Sequence, residues 1–140
     1  MVTVPLPDHY IATTDFYVRY AETDAQGVVH HAVYIVWFEE ARSHYARVRG
    51  TDYADFERAG LMLSVASIQA RYSYPARYGD RVAIRCWVES FSSRAVTFRY
   101  EIENAVSKKR MVTGESRHIC VNQQGHPTII PVEWRFWLID

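Results

Sequence analysis

Asp24, Gly27, His30 and His31 lie close together in the stretch FYVRYAETDAQGVVHHAVYIVWFEEAR, residues 16–42. The residue types run from strand to tight turn to helix, which places the Asp24 carboxylate beside a helix N-terminus. There, free backbone N–H groups and the positive end of the helix dipole suit an oxygen that gains negative charge. A carboxylate nearby can act as nucleophile or general base, so the pairing points to acyl transfer.

Asp24-Ala25-Gln26-Gly27 also has Asp first and Gly fourth in a type I turn, where the carboxylate commonly bonds the local backbone. A turn role and a catalytic role are compatible, because the turn can hold the side chain at the required angle. His30 and His31 are adjacent and project in different directions, and no further His or Cys completes a metal-ligand spacing, so no metal is expected. His30 reads as a packing residue. Neither it nor Val28 or Val29 is a strong N-cap type, which leaves the helix N–H groups available to a ligand. Gly27 either permits close backbone approach or supplies turn conformation.

Periodicity locates the elements. Phe16, Val18 and Tyr20 alternate with Tyr17 and Arg19 as a first strand. From His31 to Arg49 the spacing is helical, with Tyr34, Phe38, Ala41, Tyr45 and Val48 as a stripe and Gly50 as C-terminal cap. Val33, Ile35, Val36 and Trp37 add apolar residues on the remaining faces of the first half, which predicts a buried helix that emerges polar through Glu39, Glu40, Arg42, Arg47 and Arg49. Thr51 to Ala59 reads as a short helix. Strand patterns follow: Ala66 to Tyr74, Val82 to Val88, Val96 to Ile102 and Met111 to Val121, with turns at Tyr78-Gly79-Asp80, Ser92-Ser93, Asn104 to Lys109 and Asn122 to Pro127. One long helix among short-turned strands specifies an α+β domain with a mainly antiparallel sheet.

At 140 residues and 49% hydrophobic, one substantial core and a single domain over residues 1–140 are expected. Sixteen basic residues balance sixteen acidic ones, giving no general electrostatic reason to bind nucleic acid. No apolar run reaches the roughly 20 residues of a membrane span, and MVTVPLPDHY lacks the parts of a secretion signal, so the expected location is cytoplasmic. Cys86 and Cys120 stand alone and read as two buried thiols. A nucleophile elbow, a P-loop and a dinucleotide fingerprint are all absent.

Tyr20, Thr23-Asp24, Gly27-Val28-Val29, His31, Tyr34, Phe38-Glu39 and Ala41-Arg42 form an ordered set, continued by Tyr74-Pro75-Ala76-Arg77, Gly79-Asp80, Arg94, Gly125-His126-Pro127 and Ile130-Pro131. Over nearly its whole length the chain resembles the 4-hydroxybenzoyl-CoA thioesterase-like branch of the hotdog-fold superfamily. The resemblance implies a curved, mainly antiparallel sheet wrapped around one long central helix. It implies hydrolysis of a small aromatic or short-chain acyl-CoA to free acid and coenzyme A, with no cofactor, since coenzyme A is part of the substrate. Asp24 matches the catalytic carboxylate, and His31 is matched mainly through its backbone N–H, which would polarise the thioester carbonyl.

Substrate contacts are implied at Gly27, Val28, Tyr34, Ser67, Ser93 and Arg94. Tyr34 either lines the acyl pocket or belongs to the buried helix stripe. Ala66 and Ser67 leave room near the Leu63–Ser67 segment of a neighbouring subunit, and Arg94 either meets the coenzyme A phosphates with Ser92 and Ser93 or is a solvated hairpin Arg. Relatives often carry Asn where this chain has Val33. An exposed sheet edge and the family's habit imply a homodimer or homotetramer, with Trp134, Phe136 and Trp137 either in a subunit contact or packed on their own subunit. A non-catalytic acyl-CoA-binding module, which would keep the groove but has no need of Asp24 in that turn, is the alternative; a hotdog dehydratase lacks its His–Pro-rich signature here, and a structural or partner-binding hotdog is a further reading.

Overall fold

The computed structural model describes residues 10–135. In chain order these form β1 (Ala12–Tyr17), α1 (Val33–Val48), α2 (Tyr53–Arg58), β2 (Met62–Tyr72), β3 (Arg81–Phe91), β4 (Ala95–Asn104) and β5 (Arg110–Val121), with single 3-10 turns at Tyr20–Glu22 and Val132–Trp134. The strands make one antiparallel sheet in the order β1-β3-β4-β5-β2. β1 and β2 therefore occupy opposite edges, and both helices belong to the connection between them.

The α1 stripe forms as its spacing predicts: Tyr34, Trp37, Phe38, Ala41, Tyr45 and Ala46 are buried. Phe38 stacks flat on Tyr100 of β4, with centroids 4.3 Å apart, and Tyr45 meets Phe98 edge-on. Gly114 of β5 makes room for this seat. A Cβ placed there would lie 2.5 Å from the Phe38 ring and 2.7 Å from the Gln69 carbonyl oxygen. Gly50 has φ +90° at the helix end, the left-handed conformation a glycine cap supplies. α1 is not buried all round, however: Val36 is 57% exposed, so the outer apolar face of its first half is open in the single chain.

Three of the boundaries that differ from the sequence reading change which residues face the site or the core. The first strand begins at Ala12 and ends at Tyr17; Val18 is buried and its N–H bonds Asp80, but Tyr20 has turned away into the 3-10 turn. α1 starts at Val33, not His31, because residues 31 and 32 form a turn with other partners. β2 starts at Met62, and a bulge between Val65 and Ser67 switches its alternation, so that Leu63 and Val65 pair opposite the inward Cys120 and His118, and Ile68, Ala70 and Tyr72 continue that face. A period-two pattern begun at Ala66 reports only the second half.

A polar thread crosses the core between helix and sheet. The Arg42 guanidinium donates to the Tyr100 hydroxyl at 3.1 Å, Tyr100 lies 2.5 Å from Ser116 Oγ, and Ser116 Oγ lies 2.7 Å from His118 Nε2. Arg42 can only donate, so the consistent direction runs from Arg42 through both hydroxyls to an accepting, neutral His118. Burial first, and then the charge of Arg42, push His118 down to about 4, opposed by a weaker interaction with the Leu63 backbone. Cys86 and Cys120 are both buried and unbridged, as expected. Trp134 packs edge-on against Phe56 of its own chain; Phe136 and Trp137 lie outside the described residues. Among the described residues no helix is long and apolar enough to cross a membrane.

Candidate active site

The segment between β1 and α1 folds back on itself as a miniature hairpin. Thr23 bridges Val29 and Val28 bridges Arg77; Asp24 N–H bonds the Val28 carbonyl at 2.8 Å, and Gly27 N–H bonds the Asp24 carbonyl at 3.0 Å. Asp24 Oδ1 accepts the Gln26 N–H at 2.8 Å, the Asx turn read from sequence. Asp24 Oδ2 has no partner among the described residues. Gly27 has φ +81°, the left-handed conformation that the turn requires, with open space where a Cβ would stand.

A second segment holds this hairpin to the helix. Val29 N–H bonds the Ala76 carbonyl at 2.8 Å, and the Ala76 N–H in turn bonds the Tyr34 hydroxyl oxygen at 3.0 Å. Burial pushes the Tyr34 phenol above its ordinary value, against the hydrogen bond from Ala76, so the group stays protonated. Tyr34 is thus a core residue of the α1 stripe whose ring also reaches the site.

Glu22 fastens the other side. Its carboxylate accepts the Arg19 N–H, the Arg19 guanidinium and the Trp37 indole N–H, each at 2.8 Å. Burial alone would raise the Glu22 pKa; the hydrogen bonds from Arg19 and Trp37 outweigh it and hold the group below its ordinary value. Its carbonyl accepts the His30 N–H at 3.0 Å.

His30 is not a packing residue. It is exposed, its Nδ1 accepts the Ala32 N–H at 3.1 Å, and its ring stacks on His31 at 4.3 Å. An imidazole therefore occupies one of the helix-start donors that residue type had left open, and it does so because the local turn folds the ring back over its own backbone. The His31 N–H, in contrast, has no partner among the described residues. Its carbonyl accepts the Tyr72 hydroxyl at 2.9 Å.

Next to this turn is a cavity of about 270 Å³ lined by Val29, His31, Tyr34, Tyr72, Ser73, Tyr74 and Pro75. Its walls are chiefly aromatic and aliphatic. A larger concavity of about 730 Å³ lies over the opposite sheet face, among the ion pairs Arg99–Glu115 and Arg110–Glu101, and holds none of the residues singled out from sequence.

Asp24, Gly27, Val28, His31 and Tyr34 are thus assembled at one end of the molecule. Ser67, Ser93 and Arg94 are not there. Ser67 pairs with exposed Arg117 on the sheet face away from the helix. Ser93 and Arg94 are exposed in the β3–β4 hairpin, tied through their carbonyls to Ile130 and Cys120. β1 meets β3 with Tyr17 opposite Arg81 at the start of that strand, whereas the hairpin follows its last residue, Phe91. At about 3.3 Å per residue, β3 separates the two ends by roughly 33 Å.

A match to the thioesterase-like superfamily spans residues 18–138, which includes every residue of this site. The chain belongs to the thioesterase-like superfamily. Solved structures share the fold: DHNA-CoA thioesterase of Staphylococcus aureus is 33% identical, with a TM-score of 0.82 over 85% of this chain and 80% of that one. The hypothetical protein TT1821 of Thermus thermophilus is 36% identical, with a TM-score of 0.85 over 90% and 95%. YneP of Bacillus subtilis, provisionally named an acyl-CoA thioesterase, is 31% identical over 126 residues, 90% of this chain and 88% of its own. The five-stranded antiparallel sheet with one main helix is the hotdog fold of this superfamily. Glu22 and Tyr72 hold this turn and were missed by sequence reasoning, which met Ala76 only as part of the ordered set and not for its bonds to Val29 and Tyr34. Glu22 directly precedes the Thr23-Asp24 pair, so its position was visible and its partners were not; Tyr72 gave no signal, because it acts 41 residues away from its partner.

Proposed function

We propose that this protein is a thioester hydrolase that cleaves small aromatic or short-chain acyl-CoA substrates at the Asp24–His31 turn. The observations that carry the reading are the helix-start His31 N–H, without a partner among the described residues and in the wall of an aromatic cavity, and the Asp24 carboxylate, which has one open oxygen on the hairpin that leads into that helix. The thioester carbonyl oxygen points at the His31 N–H, which stabilises it as negative charge develops. Asp24 Oδ2 either attacks the carbonyl carbon, expelling coenzyme A thiolate and leaving a mixed anhydride for water to cleave, or takes a proton from the water that attacks. The products on either route are the free acid and coenzyme A. Tyr34, Tyr72 and Tyr74 in the walls favour an aromatic acyl group, and the S. aureus relative is named a DHNA-CoA thioesterase.

The separation of Arg94 from Asp24 supports a site shared between subunits. β2 is an edge strand of eleven residues. Antiparallel pairing of two β2 strands about a two-fold axis sets Tyr72, and with it His31, against Met62 of the partner subunit. The Leu63–Ser67 segment of that subunit then borders the acyl cavity, and the partner's Arg94 follows one to two strands further on, because Met62 pairs with Val121 and Cys120 bonds Arg94 within each chain. Ser93 and Arg94 then meet the coenzyme A phosphates from across the interface.

Thiol release from a panel of aromatic, short-chain and long-chain acyl-CoA thioesters tests the reaction. Asp24→Asn keeps an oxygen for the Gln26 N–H, so the turn persists, while turnover falls by about 10²- to 10⁴-fold. Equal activity of the two proteins removes Asp24 from the chemistry; tight binding of a thioester without turnover by either makes the protein a binding module.

A further inference from the structure

We propose that Tyr72 is a positioning residue for the oxyanion site: its hydroxyl, reaching from the end of the edge strand, clamps the turn that presents the His31 N–H. The role deepens the hydrolase reading and rests on it. The His31 N–H belongs to the peptide joining His30 and His31, and in a planar trans peptide the carbonyl and the N–H point opposite ways. The His30 carbonyl accepts the Val33 N–H at 2.9 Å and is drawn into the helix, so the His31 N–H faces away from it. The next peptide is held at both of its polar groups: the Ala32 N–H by the His30 ring and the His31 carbonyl by the Tyr72 hydroxyl.

These clamps differ in origin. The Val33 N–H and the His30 ring belong to the same turn and move with it, so those two contacts set its internal shape; from outside the turn the Glu22 carbonyl holds the His30 N–H at 3.0 Å, one peptide before the donor, and the Tyr72 hydroxyl holds the His31 carbonyl, one peptide after it. Helix ends carry unpaired groups and open at low cost. Tyr72 comes from β2, and its ring is itself seated, 5.5 Å from Tyr34, whose hydroxyl oxygen accepts the Ala76 N–H. The same ring forms part of the cavity wall. One side chain thus holds the helix side of the donor and forms part of the surface against which the acyl group rests. An oxyanion donor misplaced by a fraction of an ångström loses its advantage in the transition state while the ground state still binds.

Tyr72→Phe removes only the hydroxyl and leaves the His31 carbonyl to water, so the fold and the cavity wall persist. Two readouts are taken on the native protein, Tyr72→Phe and Asp24→Asn: kcat and KM on the best thioester of the panel, and amide hydrogen exchange at Ala32 and Val33. Tyr72→Phe is expected to lower kcat roughly 10- to 100-fold with KM within about twofold, and to speed exchange at the two amides about 10-fold. An unchanged kcat, a change confined to KM, or unchanged exchange each overturns the proposal. Absence of thioester turnover in the native protein would instead sink the hydrolase reading and the catalytic consequence with it, while the exchange rates would still decide whether Tyr72 holds the turn.

Discussion

The two oxygens of Asp24 have separate surroundings: one is engaged by the Gln26 N–H and the other is open. The turn half of that arrangement was legible, because an Asx turn is made by residues two apart and its chemistry is written in consecutive letters. The His30 cap was not, although it is just as local; imidazole is a poor guide to capping by residue type, and only the backbone path shows that the ring folds onto Ala32. Tyr72 and the bonds of Ala76 escaped for another reason, since their partners are set by tertiary structure.

His118 offers a test at the same scale. Its pKa lies near 4 in the folded chain against an ordinary 6.5, so below pH 6.5 the unfolded chain takes up a proton that the folded one refuses. Stability contributed by the neutral ring is therefore complete above pH 6.5 and declines as pH falls towards 4. Protonation would also turn Nε2 from acceptor to donor and set it against the thread from Arg42. At pH 4.5 the native protein is expected to have lost about 2 to 3 kcal/mol relative to pH 7 from this group. Urea unfolding at both pH values measures it, and His118→Gln, which keeps an acceptor for Ser116, should lose correspondingly less.

Among the elements, α1 and the three strands β3, β4 and β5 were readable because their periodicity is carried by side chains that all meet one surface. β2 was half-readable: its bulge breaks the alternation at Ala66, and a pattern that changes phase looks like two weaker ones. The helix was misread on its outer side, where Val36 is exposed although its type suggests burial. Helix and sheet are registered by the contact of Phe38 with Tyr100 across Gly114. Since neither the ring nor the Gln69 backbone can retreat freely, Gly114→Ala is expected to destabilise the fold by about 2 to 3 kcal/mol, at the upper end of overpacking costs. A lowered denaturant midpoint with an unchanged slope would show it; a midpoint equal to the native one would mean that the helix seat yields.

For the whole molecule, the placement of Asp24 and Arg94 at opposite ends of the sheet turns assembly into a kinetic question. Arg94→Glu should raise KM for the thioester, and Asp24→Asn should abolish turnover. If each site takes Asp24 from one chain and Arg94 from the other, mixing the two inactive or weak variants regenerates one intact site per heterodimer, about one site in four of the total. Thiol release at low substrate from the refolded mixture, compared with each variant alone, measures this. No recovery would place both groups in one subunit's site or leave Arg94 unused. Nothing in the sequence alone reveals such a division, because it depends on which end of a strand a hairpin occupies.

The flat seat of Phe38 on the sheet has a consequence beyond folding. Phe38 lies four residues, about one turn or 6 Å, from Tyr34, and Tyr34 carries the hydrogen bond that holds Ala76. If the His31 N–H is the donor proposed above, the helix would act as a short gauge rod, and a lift or slide at its middle would reach the end that carries that group. Variation at Phe38, Tyr100 or Gly114 would then be a way for evolution, or a laboratory selection, to adjust turnover from the interior of the molecule without altering a residue that faces the cavity.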